Sequence, residues 1–193
     1  MSIAIVKYNA GNVRSVIHAL NRLGVEPEWT DDPERLRRAA RVIFPGVGEA
    51  GSAMSYLRAR GLDEVLSDLS QPVLGICLGL QLLCERTEEA STRCLGIFPH
   101  EVVRFPSEGK VPHIGWNQIS SLEGPLFRGV AEDDYVYFVH AYYAEAGPDQ
   151  IALTEYLRPF ASALHRDNFF AVQFHPEKSG AVGERILKNF LAL

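Results

Sequence analysis

The strongest constraint on the fold is an alternation that fills residues 3–85: short apolar runs separated by segments whose apolar residues recur at helical spacing. Ile3-Ala-Ile-Val, followed at once by Lys7, reads as a buried first strand. After a Gly11-Asn12 break, Val13, Val16, Ile17 and Leu20 fall on one face of a helix predicted over 13–23 and closed by Gly24. A second strand is predicted over 25–29, then a short helix opened by Asp32-Pro33, an acidic cap with proline in the first turn. A third strand over 41–44 ends at Pro45-Gly46, and helical patterning returns over 50–60. A fourth strand over 71–76 leads into a helix over 78–85. Strand–helix units of this length predict an α/β fold whose mostly parallel central sheet carries helices on both faces.

The second half is patterned differently. The runs 101–104, 135–139, 151–154 and 169–172 are short and separated by Gly, Pro, Asn and Asp, which predicts antiparallel additions to the sheet before a closing helix over 182–192. The chain has no internal repeat, low-complexity segment or long linker, so residues 1–193 are expected to form a single domain.

Charge and cysteine usage exclude several classes. A net charge of -5 lacks the basic face that nucleic-acid binding needs. The arginines between Arg35 and Arg41 read as a solvated helix face. The first apolar run is too short for a signal peptide or a membrane span. Cys77, Cys84 and Cys94 are odd in number and match neither a disulfide framework nor zinc spacing. The expectation is a reduced, cytoplasmic protein with no metal and no cofactor.

The chemistry centres on "GICLGLQ", residues 75–81. Cys77 stands where a buried strand turns sharply into a helix, the arrangement of a nucleophile elbow. The unpaired N–H groups and positive dipole of a helix start favour a thiolate. Gly75 and Gly79 relieve crowding where strand and helix are forced together, and the Leu78 N–H supplies one oxyanion donor. A thiolate acyl-transfer site needs a base and a group to orient it. "FAVQFHPEKSG", residues 170–180, places His175 at a strand end with Glu177 two residues on. In extended chain the two would point to one side, with Pro176 biasing His175 toward that conformation. "FPGVGEA", residues 44–50, is a glycine-rich turn after a strand and a candidate second oxyanion donor. Gln81, four residues after Cys77, lies on the same helix face and offers an amide to a polar substrate.

Together the cysteine elbow, the late H-P-E and the early P-G-V-G resemble class I glutamine amidotransferases, over almost the whole chain. That resemblance implies a flavodoxin-like fold and a Cys–His–Glu triad of Cys77, His175 and Glu177. It also implies hydrolysis of glutamine to glutamate and ammonia through a thioester. "NAGNVRSV" at 9–16, "PHIGWN" at 112–117, "YFVHAYY" at 137–143 and "HPEKSG" at 175–180 look like the branch formed by the glutaminase subunits of imidazole glycerol phosphate synthases. Leu80 stands where several other members carry histidine. In this branch the resemblance implies an oxyanion hole from the Leu78 N–H and the Gly46–Val47 peptide. Glutamine would be held by Gly48, Gln81 and the segment His140, Ala141 and Tyr142. A (β/α)8-barrel cyclase subunit would complete a heterodimer, facing Asn12, Trp116, Tyr137 and Lys178.

Trp116 and Tyr137 are equally read as core aromatics, and His113 and His140 as hydrogen-bonded structural histidines. Two other functions stay open: a stand-alone cysteine hydrolase of γ-glutamyl amides, and a catalytically silent partner-binding subunit. Thiol titration of Cys77 in the assembled complex separates the silent subunit from the enzymes.

Overall fold

The structure, a computed structural model, describes residues 2–9, 11 and 13–193. The first half runs β1 (Ile3–Val6), α1 (Val13–Arg22), β2 (Glu28–Thr30), α2 (Pro33–Arg38), β3 (Arg41–Gly46), α3 (Ala50–Ala59), α4 (Leu62–Ser67), β4 (Val73–Cys77) and α5 (Leu78–Leu83). The second continues β5 (Cys84–Thr87), β6 (Thr92–Arg93), β7 (Phe98–Arg104), β8 (His113–Gln118), β9 (Tyr135–His140), β10 (Tyr142–Ala144), β11 (Gln150–Tyr156), β12 (Arg158–Arg166), β13 (Phe169–Val172) and α6 (Gly180–Leu191).

Among the described residues, a seven-stranded sheet has the order β11-β12-β13-β4-β3-β1-β2. The strands from β13 to β2 are parallel, and β11 and β12 extend the β13 edge antiparallel. Alternation along the buried strands feeds two cores. Ala4, Val6, Val42 and Phe44 pack with Leu36, Leu57 and Leu66 on one face. Ile3, Ile5, Ile43 and Leu74 pack with Val16, Leu20, Ile186 and Phe190 on the other. The doubly wound α/β architecture with antiparallel additions is therefore the one expected from the sequence. A four-stranded sheet (β10-β7-β5-β6) and a two-stranded ribbon (β8-β9) flank the main sheet. No helix among the described residues is long and apolar enough to cross a membrane.

Local capping works as the sequence indicates. The Asp32 carboxylate accepts from the N–H groups of Glu34 and Arg35, with Pro33 in the first turn of α2. Other elements differ from expectation. The helix after Cys77 stops at Leu83 rather than 85, because Cys84 turns extended and β5 pairs in parallel with β7. That pairing spans two segments separated along the chain, so helical or strand periodicity within either one does not report it. β2 begins at Glu28, later than the run from Val25 suggests. The strands β8 and β12 and the helix α4 were not expected; α4 buries only Leu62, Val65 and Leu66. Arg41 is not on a solvated helix face. It lies buried in β3, and its Nε donates to the Phe190 carbonyl at 3.2 Å.

Candidate active site

The parallel strands β3, β4 and β13 end side by side, with Gly46 in register with Cys77 and Val172 in register with Ile76. Ligand sites in open α/β sheets form at such carboxyl ends. Cys77 closes β4 and caps α5 with φ 54° and ψ −106°, a conformation sterically costly for any residue with a side chain. The two flanking glycines permit it. A Cβ on Gly79 would stand 1.9 Å from the Phe44 carbonyl oxygen, and one on Gly75 would stand 3.0 Å from the Gly79 backbone. The N–H of Leu78, at the first position of α5, has no intrahelical partner by geometry.

His175 follows β13 by three residues, so it reaches the same edge from the opposite side of β4 to β3. Its Nδ1 lies 2.8 Å from Glu177 Oε1, and both side chains are buried. The reason differs from strand alternation: residues Pro176–Lys178 form a 3-10 turn that folds Glu177 back onto the ring. Burial alone would lower the pKa of His175. The Cys77 sulfur, first, and the Glu177 carboxylate outweigh that and push it up to about 10. Nε2, on the other side of the ring from Glu177, makes no hydrogen bond. The loop is anchored to β9. The His175 N–H donates to the Tyr137 carbonyl at 2.9 Å, and Ser179 Oγ accepts from the Tyr137 N–H while donating to the His175 carbonyl.

A cleft of about 280 Å³ opens over the sulfur, lined by Val47, Gly48, Cys77, Leu78, Gln81, Glu89, Pro112, Val139, His140, Ala141 and Tyr142. This brings together the cysteine, the Val47-Gly48 segment, Gln81 and the 140–142 segment. A larger depression of about 440 Å³ on the second sheet, lined by Arg86, Thr87, Glu88, Ser91, Thr92, Arg93 and Glu101 among others, holds neither a cysteine nor a histidine. The P-G-V-G segment is less of a turn than its glycines suggest: Pro45 and Gly46 belong to β3, and the Tyr8 hydroxyl donates to the Pro45 carbonyl at 2.6 Å. The Val47 carbonyl accepts from the Gly11 N–H at 3.2 Å.

Gln81 is already engaged. Its Nε2 donates to the Tyr142 carbonyl at 2.9 Å and to Gln173 Oε1 at 3.1 Å, so it offers the cleft its carbonyl oxygen rather than its N–H groups. Glu89 was missed in the sequence. One carboxylate oxygen accepts from the Ala50 N–H at 2.8 Å while the residue lines the cleft, and burial raises its pKa. No sequence signal marks it, because it sits in a short acidic run far from Cys77 along the chain.

His140 lines the cleft, but its ring is structural. Nδ1 lies 2.8 Å from the Tyr142 carbonyl and Nε2 lies 3.3 Å from His113 Nδ1. His113 stacks between Tyr156 and Phe138. Burial pulls the pKa of His113 down to about 4 and that of His140 to about 3. An unfolded chain binds protons at both positions below about pH 6.5, while the folded chain does not until far lower pH. Their contribution to stability is therefore complete above about 6.5 and is lost as pH falls from there toward 4 and 3. His140 alone contributes a slope of at most about 1.4 kcal/mol per pH unit. The expected outcome is a urea midpoint that falls between pH 6.5 and 5, before most carboxylates titrate, and a shallower fall in His140→Asn.

On the other side of the β8–β9 ribbon, Ile114, Trp116 and Tyr135 are each about half exposed, so Trp116 is not a core aromatic. Trp116 packs edge-on to Tyr137 at 6.1 Å, and Lys178 Nζ lies 5.8 Å from the Tyr137 ring centre. Trp116, Tyr137 and Lys178 thus share one patch. Asn12 lies outside the described residues.

Residues 4–193 match the family model described as glutamine amidotransferase class-I. The chain is 57% identical over 196 residues to imidazole glycerol phosphate synthase subunit HisH of Bacteroides fragilis, covering all of both chains. It is 56% and 45% identical, again over the whole of both chains, to proteins of the same name from Bacteroides thetaiotaomicron and Yersinia pestis. A solved glutamine amidotransferase superposes with a TM-score of 0.77 at 21% identity, covering 98% of this chain and 97% of that one. PurLQS from Thermotoga maritima gives 0.71 at 17% identity, covering 99% and 97%. At those identities the likeness is one of fold.

Proposed function

Since the chain belongs to the class I glutamine amidotransferase family, we propose that it hydrolyses glutamine through a thioester on Cys77 and passes the ammonia to a (β/α)8-barrel cyclase subunit. That subunit would make imidazole glycerol phosphate and AICAR in histidine biosynthesis. The enzyme class follows from the family. The full-length identity of 57% to a HisH protein carries the assignment to an imidazole glycerol phosphate synthase. Residues 1–193 would act as one glutaminase domain in the cytoplasm, with no cofactor or metal.

In this mechanism the Cys77 thiolate adds to the carboxamide carbon of glutamine. The N–H groups of Leu78 and Val47 receive the developing oxyanion. His175, held by Glu177, is charged in the resting site and gives its Nε2 proton to the departing nitrogen. The C–N bond breaks and ammonia leaves. The neutral ring then takes a proton from water, whose oxygen adds to the thioester. The C–S bond breaks, and thiolate and imidazolium are restored. The Gln81 carbonyl oxygen and the Glu89 carboxylate are suited to the substrate's α-ammonium, with Gly48, His140, Ala141 and Tyr142 shaping the cleft around it.

Ammonia released into water would be protonated and lost to the synthase, so a docked acceptor is required. The half-exposed Trp116, with Tyr137 and Lys178, is the proposed docking face. Because Tyr137 is bonded to the His175 loop on both its backbone groups, docking there acts directly on the catalytic loop. Glutamate release from glutamine should be low for this chain alone and rise at least about tenfold with the barrel cyclase and its nucleotide ligand, the scale of a typical coupling free energy. Equal rates with and without the partner would point to an independent hydrolase. No release in either condition would point to a silent subunit.

A further inference from the structure

The buried carboxamide of Gln173 has not been used in the mechanism, and its direction is fixed by its neighbours. The Tyr142 carbonyl accepts only, so the end of the Gln81 amide that meets it at 2.9 Å is nitrogen. That same nitrogen meets the Gln173 amide at 3.1 Å, and a donor there demands an acceptor opposite. Gln173 must therefore present its oxygen to Gln81. Its NH2 group is left facing Cys77, where Nε2 lies 3.6 Å from Sγ. The reverse orientation would set donor against donor at one end and oxygen against sulfur at the other. Tyr142 is itself held in place by His140 Nδ1 at 2.8 Å. Gln173 is fully buried, so no water competes for the contact. It precedes His175 by two residues, and both side chains approach the sulfur.

We propose that Gln173 is a catalytic residue of this site: its N–H donates to the Cys77 sulfur and stabilises the negative charge there. Resting on the thioester mechanism proposed above, this N–H serves the sulfur twice. It holds the attacking thiolate before the C–S bond forms, and it receives the thiolate that departs when water cleaves the thioester. In the first step the bond raises the fraction of thiolate available to attack; in the second it strengthens as charge builds on the departing sulfur. Gln173 does not line the cleft, so the effect falls on rate rather than on glutamine binding.

The test uses two variants of the full chain. Gln173→Met keeps length and volume but has no donor. Gln173→Glu keeps an oxygen for Gln81 and loses the N–H toward sulfur. Alkylation of Cys77 by iodoacetamide, located by mass spectrometry, reads thiolate availability without any glutamine chemistry. Both variants should alkylate about 10- to 100-fold more slowly at neutral pH, and the deficit should close as pH rises and the parent's advantage disappears. With the loaded cyclase present, kcat for glutamine should fall by a similar factor with KM nearly unchanged. Should Gln173→Met fail to fold, Gln173→Leu, uncharged and equally without a donor, takes its place, because a carboxylate at 173 would slow alkylation by charge repulsion alone. Parent-like alkylation in a folded variant, a deficit that persists unchanged at alkaline pH, or a change confined to KM would each overturn the proposal. If the parent itself hydrolysed no glutamine, the function proposed above would fail, while the alkylation comparison would still decide the role of Gln173.

Discussion

Replacing Cys77 with alanine is expected to abolish glutamine-dependent turnover in the assembled synthase, by at least about 10^4-fold, the scale on which removing a triad nucleophile acts. The same assembly fed with ammonium salt at alkaline pH should turn over at the parent rate, because the proposed division of labour gives the Cys77 cleft no part in the cyclase reaction. The comparison is made by following imidazole glycerol phosphate formation with each nitrogen source. Loss of both activities would contradict a division of labour between two subunits. Cys77 also sits at φ 54° and ψ −106°, which costs about 1–3 kcal/mol for a side-chain-bearing residue. Cys77→Gly should therefore be as inactive as the alanine variant but unfold at higher urea concentration. The difference between the two reports the strain held at the elbow.

Gly79→Ala is expected to destabilise the fold by about 3 kcal/mol or more, at the upper end for overpacking by one methyl group. The added Cβ would stand 1.9 Å from the Phe44 carbonyl oxygen. That oxygen belongs to β3, which is clamped between β4 and β1, so it has no room to move. Either α5 lifts away from the sheet or the central strand distorts, and both displace Cys77. Urea unfolding monitored by circular dichroism should show a clearly lowered midpoint, with glutaminase activity falling alongside it. An unchanged midpoint would mean that α5 does not lie against Phe44.

The legible parts of the site were those whose cause is local. The elbow is a steric fact about one strand-to-helix turn, so the residues around Cys77 announce it. The His175–Glu177 pair was legible too, though its geometry comes from a 3-10 turn at Pro176 rather than from extended chain. The helix start at Asp32-Pro33 followed from capping. The misses share another cause. The helix pattern over 78–85 runs two residues into β5, and β8 has no strand signal of its own, because each becomes a strand only by pairing across an intervening segment, with β7 and β9. β12 pairs with its chain neighbours β11 and β13, yet its run 158–166 opens on Arg-Pro and carries no clean alternation. Glu89 and Gln173 carry no motif chemistry of their own; only their neighbours give them a role.

The chain's own pattern determined that a parallel sheet would be covered on both faces and that Cys77 would stand at the carboxyl end of one strand. Apolar periodicity encodes which face of an element is buried, and glycines encode where backbones must touch. Neither encodes strand order. Tertiary structure alone decided that β13 lies against β4, on the side opposite β3, and so carried His175 and Gln173 to the sulfur of Cys77. It also decided which way the Gln81 and Gln173 amides point. That choice depends on the Tyr142 carbonyl, which pairing of β10 with β7 brings to the cleft. Hydrogen-bond direction is a property of completed contacts, and these contacts exist only once the sheets have assembled.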